Sequence, residues 1–168
     1  MEAKAISILN DHRTMAISTF RPDGWPQTTI VGYANDGLLI YFLISRTSQK
    51  LANIQHDDRV SLAVGKEPVD FHNLKAIYAG AHASEVTDDA QRRHAWKLLM
   101  ERHPDLADFE LPDRSQAAMM RALCMYVSIL DFTKGLGHTD ALTVTSPGLS
   151  LMEPARDADW GYTPAKAN

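Results

Sequence analysis

The sequence predicts a mainly β domain that folds as a closed or nearly closed antiparallel barrel with flanking helices. Short segments of alternating apolar and polar residues recur along the chain, which is typical of half-buried strands. Tight-turn signals separate the first three segments, RPDG at 21–24 and NDG at 35–37. The third segment, residues 38–44, is apolar throughout, so we expect both of its faces to be covered.

About six to seven mostly antiparallel strands follow from these local patterns. The predicted strands lie at 14–20, 27–33, 38–44, 59–64, 74–86, 123–132 and 141–145. Helices are predicted at 3–9, 51–54 and 88–102, where apolar residues return at helical spacing. Residues 1–146 therefore form one domain. Residues 147–168, with three prolines and few aliphatic side chains, are predicted to be an irregular tail.

The apolar strand at 38–44 also predicts an oligomer. One of its faces can line the barrel interior, and the other needs a helix or a second chain. Because 168 residues supply few helices, a second copy is the more economical cover. We expect a homodimer.

Composition narrows the class of protein. The chain carries 17 Lys+Arg and 21 Asp+Glu, a formal net charge of −4, and so lacks the basic surface of a duplex nucleic-acid binder. Cys124 is the single cysteine, which excludes an intramolecular disulfide and a zinc site built from thiolates. Neither a secretory signal nor an apolar stretch of about twenty residues is present. We expect a soluble cytoplasmic protein with no membrane partner.

The segment SRTSQK at 45–50 is the most informative part of the sequence. It places hydroxyl groups, Arg46 and Lys50 between an apolar strand and the start of a helix, where free backbone N–H groups favour an anion. A phosphate group suits this position. The same pattern also fits an ordinary N-cap at Thr47 or Ser48 with solvated basic side chains.

Motifs for other chemistries are missing from the sequence. It contains no HExxH, P-loop, GxGxxG or GxSxG pattern and no paired-histidine spacing, so we predict no metal site and no serine nucleophile. The seven histidines are scattered, and we interpret each as structural or solvated. An enzyme without an acid–base constellation needs a cofactor that carries the chemistry.

An ordered set of segments points to one family. The segments are RPDG at 21–24, PQTTIVGY at 26–33, the apolar run at 38–44, SQKLANI at 48–54 and DRVSL at 58–62. Over about residues 5–86 this set resembles the pyridoxamine 5′-phosphate oxidase-like, FMN-binding split-barrel family. The segment DFTKGLGHTD at 131–140 is similar to the C-terminal part of one bacterial branch.

The resemblance implies a function and a location for its site. Proteins of that family are homodimers with FMN in the groove between subunits, so the chain is expected to be an FMN-dependent oxidoreductase acting on an unidentified small molecule. By position, the strand residues that would offer backbone groups to the isoalloxazine are Thr28, Thr29, Ile30, Val31 and Gly32. The implied residues around the phosphate are Ser45, Arg46, Ser48, Gln49 and Lys50.

A second segment is implied to reach the flavin from the other subunit. Lys134 or His138, in the polar glycine-rich stretch between the last two predicted strands, would make this contact. An ordinary β-turn connection explains the same stretch equally well.

Other functions stay open. Family members that oxidise pyridoxamine phosphate usually carry Ser-Arg-Lys where this chain has Ser48-Gln49-Lys50, and the loss of one bidentate cation argues against vitamin B6 oxidation. A haem-binding or haem-degrading split barrel would need a histidine facing an apolar groove. A non-catalytic flavin-binding stress protein and a deazaflavin cofactor are also compatible with the sequence.

Overall fold

The computed structural model describes residues 1–106 and 108–144 and the strand at 151–152. Its helices are α1 (Glu2–Asn10), α2 (Gln49–His56) and α3 (Asp89–Arg102). Its strands are β1 (Thr14–Phe20), β2 (Pro26–Asp36), β3 (Leu39–Ser45), β4 (Arg59–Gly65), β5 (Lys75–Glu85), β6 (Ala117–Asp131), β7 (Thr139–Val144) and β8 (Leu151–Met152). The predicted mainly β fold with flanking helices is confirmed.

Six antiparallel strands close a barrel. Their order is β3-β2-β1-β4-β5-β6, and pairing between β3 and β6 completes the ring. β7 continues the sheet beyond β6, and β8 pairs with β7. β8 falls within the predicted tail at 147–168, and the other residues of that tail lie outside the described residues.

The ring is split between β2 and β3. β2 pairs with β1 along residues 26–32 but with β3 only along 33–36. On its other edge β3 pairs with β6 along the whole of residues 39–45, so its last three residues keep only that partner. The first half of β2 therefore has one edge that no described strand covers.

β6 starts at Ala117, earlier than the predicted residue 123. Its first four residues, Ala-Ala-Met-Met, carry little intrinsic strand preference. They become strand because they pair residue for residue with 42–45 of β3. The start of β6 is thus set by a partner distant in sequence.

The barrel interior is filled by side chains that alternate inward along each strand. Met15, Ile17, Phe42 and Ile129 are each at most 1% exposed there. α1 joins the same core through three buried apolar residues, Ala5, Ile8 and Leu9.

The outer face of β3 is covered by α3, whereas the sequence predicts that a second chain covers it. Tyr41 on that face is 2% exposed and packs in a second cluster with Ala95 and Leu99 of α3. The expected second chain is therefore not needed to cover this strand, and the predicted homodimer loses that support.

A different sheet face has no covering helix among the described residues. The register aligns Ile30, Ala16, Ala63 and Tyr78 in one row across β2, β1, β4 and β5, and Ile30 is 69% exposed. In the next row the Tyr126 ring lies over Gly80, where a Cβ atom would sit 2.2 Å from Tyr126 Cε1. This face is uncharged along both rows and flat where the small residues lie.

Among the described residues, no helix has the length and apolar character needed to cross a membrane.

A buried ion pair anchors α1 to the end of β6. Asp131 is 3% exposed and accepts hydrogen bonds from Lys4, from the Thr133 hydroxyl at 2.6 Å and from the Thr133 N–H at 3.1 Å. Burial opposes ionisation, yet these donors outweigh it and lower the pKa of Asp131 to about 2. The carboxylate therefore stabilises the fold at every pH at which it is ionised.

We predict that this carboxylate contributes to acid stability. A carboxyl group with a depressed folded-state pKa contributes stability above its unfolded pKa, and this contribution is lost as pH falls towards 2. Asp131→Asn should lower the free energy of unfolding by about 2 kcal/mol at neutral pH and flatten its fall between about pH 4 and 2. Urea unfolding across this pH range measures both effects. Glu67→Gln, in an exposed loop, is the control, and an unchanged acid profile in Asp131→Asn would contradict the prediction.

Candidate functional site

The uncovered edge of β2 presents unpaired backbone groups. The Tyr33 N–H donates to the Arg13 carbonyl oxygen at 3.1 Å, and the Arg21 N–H donates to the Trp25 carbonyl oxygen at 3.0 Å. Ladder bonds in an antiparallel pair alternate, so the backbone groups of Thr28, Ile30 and Gly32 point away from β1. On that side β3 has already diverged. The edge offers N–H donors and carbonyl acceptors to a ligand.

The side chains of the same stretch differ in their surroundings. The Thr28 hydroxyl is 2.8 Å from the Ser18 hydroxyl. Val31 packs against the barrel core, while Ile30 points outward. Thr29 Oγ1 is buried with no hydrogen-bond partner among the described residues. Along residues 28–32 the polar atoms without a described partner are the backbone groups at the β2 edge and the Thr29 hydroxyl.

The predicted anion loop lies between β3 and α2. Ser48 is the N-cap of α2, and its hydroxyl accepts from the Lys50 N–H at 3.2 Å. The helix-capping interpretation is thus correct for Ser48. The Leu51 N–H also donates to the Ser48 carbonyl oxygen, at 3.0 Å. Within the first turn the Gln49 N–H is then the donor without a described partner, and it is available to an anion. Ser45 Oγ is 3.0 Å from Thr47 Oγ1, which holds the loop in a compact turn.

Lys50 is a buried cation without a counter-ion. It is 9% exposed, and no ion pair to it is found among the described residues. Burial lowers the pKa of its ammonium group. An uncompensated buried charge is unfavourable, so an anion bound beside Lys50 would be stabilising.

Arg46 is engaged elsewhere. Its guanidinium donates to both carboxylate oxygens of Glu85, at 2.8 and 2.5 Å, and to the Arg114 carbonyl oxygen at 2.6 Å. The hydrogen bond from Arg46 lowers the pKa of Glu85. The structure therefore separates the two cations of the predicted loop: Arg46 braces the loop, and Lys50 is the group left for an anion.

Gln49 is held by a buried amide network. It donates to Asn53 Oδ1 at 2.9 Å, and Asn53, which is fully buried, donates to Thr19 and Gln27 at 2.9 Å each. This network fixes the start of α2 against β1 and β2. Gln49 thereby positions the loop.

The segment predicted to reach a partner's flavin is internally paired. The Lys134 ammonium lies 2.6 Å from Asp140 Oδ2, and His138 Nε2 lies 3.0 Å from Asp140 Oδ1. Hydrogen bonds from Lys134 lower the pKa of this carboxylate. Within the described chain the segment is not brought to Lys50 or to the β2 edge by any hydrogen bond or ion pair.

A cavity that the sequence did not reveal lies beneath α3. Its volume is about 330 Å³, and it is bounded by Gly32 at the β2 edge, Leu43 of β3, Trp96 and Met100 of α3, and His103. His103 is 8% exposed. From the sequence we interpret this histidine as structural or solvated. Its position against Gly32 depends on the folding of the chain and has no signal in the local sequence.

The described residues offer neither a reactive thiol nor a metal-binding cluster. Burial raises the pKa of Cys124 to about 12, so this thiol is a small core side chain. No group of three or more His, Cys, Asp or Glu side chains within the described ranges could hold a metal ion. The chemistry available here is ligand binding by an open strand edge, a helix start and one cation.

The fold and site define a split-barrel protein with an open strand edge beside a cationic helix start. The family model described as pyridoxamine 5′-phosphate oxidase matches residues 1–128. The chain belongs to the pyridoxamine 5′-phosphate oxidase family, as its sequence resemblance predicted. No curated protein matches it at the sequence level.

Solved structures share the fold at low sequence identity. A heme binding protein from Mycobacterium smegmatis superposes with a TM-score of 0.72 at 17% identity; the match covers 84% of this chain and 57% of that one. A conserved hypothetical protein from Mycobacterium tuberculosis has a TM-score of 0.70 at 23% identity, with 91% and 92% covered. An FAD-binding protein from Mesorhizobium loti has a TM-score of 0.60 at 22% identity, with 77% and 91% covered. Haem and flavin binders thus share this fold.

We predict that Lys50 costs stability in the absence of an anion. The lowered pKa means that folding the charged form is unfavourable at neutral pH, and this penalty disappears as pH rises towards the ordinary lysine value near 10.5. Lys50→Met, which keeps the apolar stem, should melt at a higher temperature than the wild type at pH 7, and the difference should shrink as pH approaches 10.5. Added inorganic phosphate should raise the melting temperature of the wild type alone.

The matched control is Lys97→Met on α3, where the side chain is 74% exposed. Its melting temperature should stay at the wild-type value with and without phosphate. A lower melting temperature for Lys50→Met at pH 7 would show that the ammonium group already has a stabilising partner.

Proposed function

We propose that this protein is an FMN-binding oxidoreductase that acts on a small molecule. The observation that carries the proposal is the uncovered edge of β2 beside a helix start with the buried, uncompensated Lys50. Membership of the pyridoxamine 5′-phosphate oxidase family and the flavin-binding relative support the same choice.

The residues present fit a phosphate. A phosphate at the start of α2 would accept from the Gln49 N–H, which has no described partner, and sit at the positive end of the helix dipole. Lys50 would supply the charge, because Arg46 is neutralised by Glu85. A phosphate monoester carries close to two negative charges at neutral pH, of which Lys50 would offset one and the helix dipole part of the other.

The residues present also fit the polar side of a flavin. The N–H and carbonyl groups of Thr28, Ile30 and Gly32 alternate donors and acceptors along the edge of β2. An isoalloxazine carries donors and acceptors of the same kinds on one side of the ring. A bound flavin supplies hydride or electron transfer, and the protein binds it, orients it and excludes water around it.

We further propose that the flavin site lies between two copies of the chain. Ile30 and Tyr78, 69% and 48% exposed, point outward from the uncharged face of β2, β1, β4 and β5. That face adjoins the β2 edge, since Ile30 belongs to both. A second copy seated on it would bury the exposed apolar side chains and close the flavin groove.

One observation favours haem as a second candidate. His103 faces an apolar cavity, which is the feature that the haem alternative requires, and a heme binding protein shares the fold. The cavity of about 330 Å³ lies at the low end of the range for small-molecule sites. A porphyrin would need the cavity to widen, whereas a flavin on the β2 edge needs no such change.

Flavin binding should depend on Lys50 through the phosphate. Titration of the full chain, followed by quenching of flavin fluorescence, should give tighter binding of FMN than of riboflavin. Lys50→Met should weaken FMN binding about ten- to a hundredfold, as expected for a hydrogen bond to a charged group, and leave riboflavin binding unchanged. In that variant the preference for FMN over riboflavin should shrink by the same factor.

Lys97→Met is again the control, and its affinity for both ligands should match the wild type. Equal binding of FMN and riboflavin by the wild type would contradict the phosphate assignment. Absence of flavin binding together with a haem absorbance band that is lost in His103→Gln would replace the flavin proposal by the haem candidate.

The oligomer is testable on the same protein. Ile30→Glu and Tyr78→Glu place a charge on the uncharged face, so each should shift the chain from dimer to monomer in sedimentation velocity and weaken FMN binding in parallel. Val69→Glu, at a fully exposed loop position, should leave both unchanged. A wild-type monomer that binds FMN would refute the proposed shared site.

A further inference from the structure

The cavity beneath α3 is maintained by the framework around it. The N-terminal half of α3 is tied down by Arg92, which donates to the Pro112 carbonyl oxygen. Its C-terminal end is tied by Arg102, which donates to the carbonyl oxygens of Leu9 and His12 at 2.9 and 2.8 Å and to Asn35 Oδ1 at 3.0 Å. Between these two ties α3 packs on the sheet through Ala95 and Leu99, and Leu99 also lines the cavity.

The cavity walls are mostly apolar and include aromatic surface, and Glu110 is the one acidic residue among the described residues that line it. Trp96, Met100 and Leu99 of α3 form the roof, Leu43 forms part of the floor, and Phe109 stands at one side. Apolar walls with an indole and a thioether favour a flat unsaturated ligand.

His103 is a polar side chain in these walls, and its two ring nitrogens have different surroundings. Its Nε2 lies 3.0 Å from the Tyr33 carbonyl oxygen, and a carbonyl only accepts, so Nε2 carries the proton. In the neutral tautomer that this contact selects, Nδ1 is an acceptor, and no hydrogen bond to it is found among the described residues. The residue is 8% exposed and lines the cavity. An acceptor without a described partner in a mostly apolar wall favours a ligand that carries a donor.

We infer that this cavity is a binding site for a small planar aromatic molecule with a ring N–H or O–H that donates to His103 Nδ1. The aromatic ring lies between Trp96 and Leu43, and the donor group points at the histidine.

The cavity meets the candidate cofactor site at one residue. Gly32 closes the cavity wall and also ends the open edge of β2. A Cβ atom at this position would lie 3.2 Å from His103 Cε1, so glycine allows the imidazole to approach the strand closely. The role of the aromatic ligand as the substrate of the flavin rests on the proposed function, whereas its binding does not.

Two probes of nearly the same shape test the hydrogen bond. Indole carries a ring N–H, and benzofuran carries a ring oxygen in its place. Calorimetric titration of the full-length wild type should show indole binding about five- to tenfold more tightly than benzofuran, the effect of one hydrogen bond of about 1 kcal/mol.

Two variants separate the hydrogen bond from the cavity. His103→Gln can still donate to the Tyr33 carbonyl oxygen through its amide nitrogen but removes the acceptor at Nδ1, so indole should fall to the affinity of benzofuran while benzofuran is unchanged. Leu43→Phe fills the space and should weaken both probes at least tenfold. Leu136→Phe, on the exposed loop after β6, should bind both probes as the wild type does.

Three results would contradict the proposed aromatic site. Equal affinity for the two probes, no binding of indole by the folded wild type, or unchanged binding in Leu43→Phe would overturn it. FMN affinity is measured on the same samples: indole binding without FMN binding would keep the cavity site and refute the proposed function, and FMN binding without indole binding would do the reverse.

Discussion

The divergence of β3 from β2 is the constraint on which the candidate site depends. β3 pairs with β2 on one edge through residues 39–42 and with β6 on its other edge through residues 39–45. From residue 43 onward only the β6 edge stays paired, so β3 leaves β2 while it still closes the barrel. Along residues 26–32 the N–H and carbonyl groups on that edge of β2 therefore face no described strand. Such edge groups are free to pair with a ligand.

Charge placement around the loop shows how one site is kept available. Arg46 and Lys50 are four residues apart, yet Arg46 reaches Glu85 on β5 whereas Lys50 is buried with no described counter-ion. The Arg46–Glu85 pair holds the loop between β3 and α2 against the sheet. Asn53 fixes the first turn of α2 through Thr19 and Gln27. A rigid scaffold of this kind holds the Lys50 charge in a position that lowers the stability of the protein when no anion is bound. The same charge favours the binding of an anion, so affinity is gained at the expense of stability.

Much of the fold was predictable because it rests on local signals. The turns at 21–24 and 35–37, the apolar alternation of β1 and the cap of α3 each lie within a few residues of sequence. The position of the segment at 45–50 between a strand and a helix start was predictable for the same reason, since its hydroxyl and basic residues are contiguous. The start of β6 was not, because Ala117–Met120 become strand only through β3. The cover of β3 was assigned to a second chain, and the structure assigns it to α3, since the helix packs there through Ala95 and Leu99.

The sequence by itself determined that this chain is a mainly β barrel of the pyridoxamine 5′-phosphate oxidase family with one small cationic loop. Only the tertiary structure decided which cation of that loop has no described counter-ion and which edge of β2 has no described partner strand. It also decided that His103 lies against Gly32 at the wall of a cavity. The reason is physical: turns and strand alternation depend on neighbours along the chain, whereas burial, ion pairing and a strand's unpaired edge depend on groups tens of residues away. Arg46 and Glu85, or Tyr33 and His103, have no relation in sequence until the barrel brings them together.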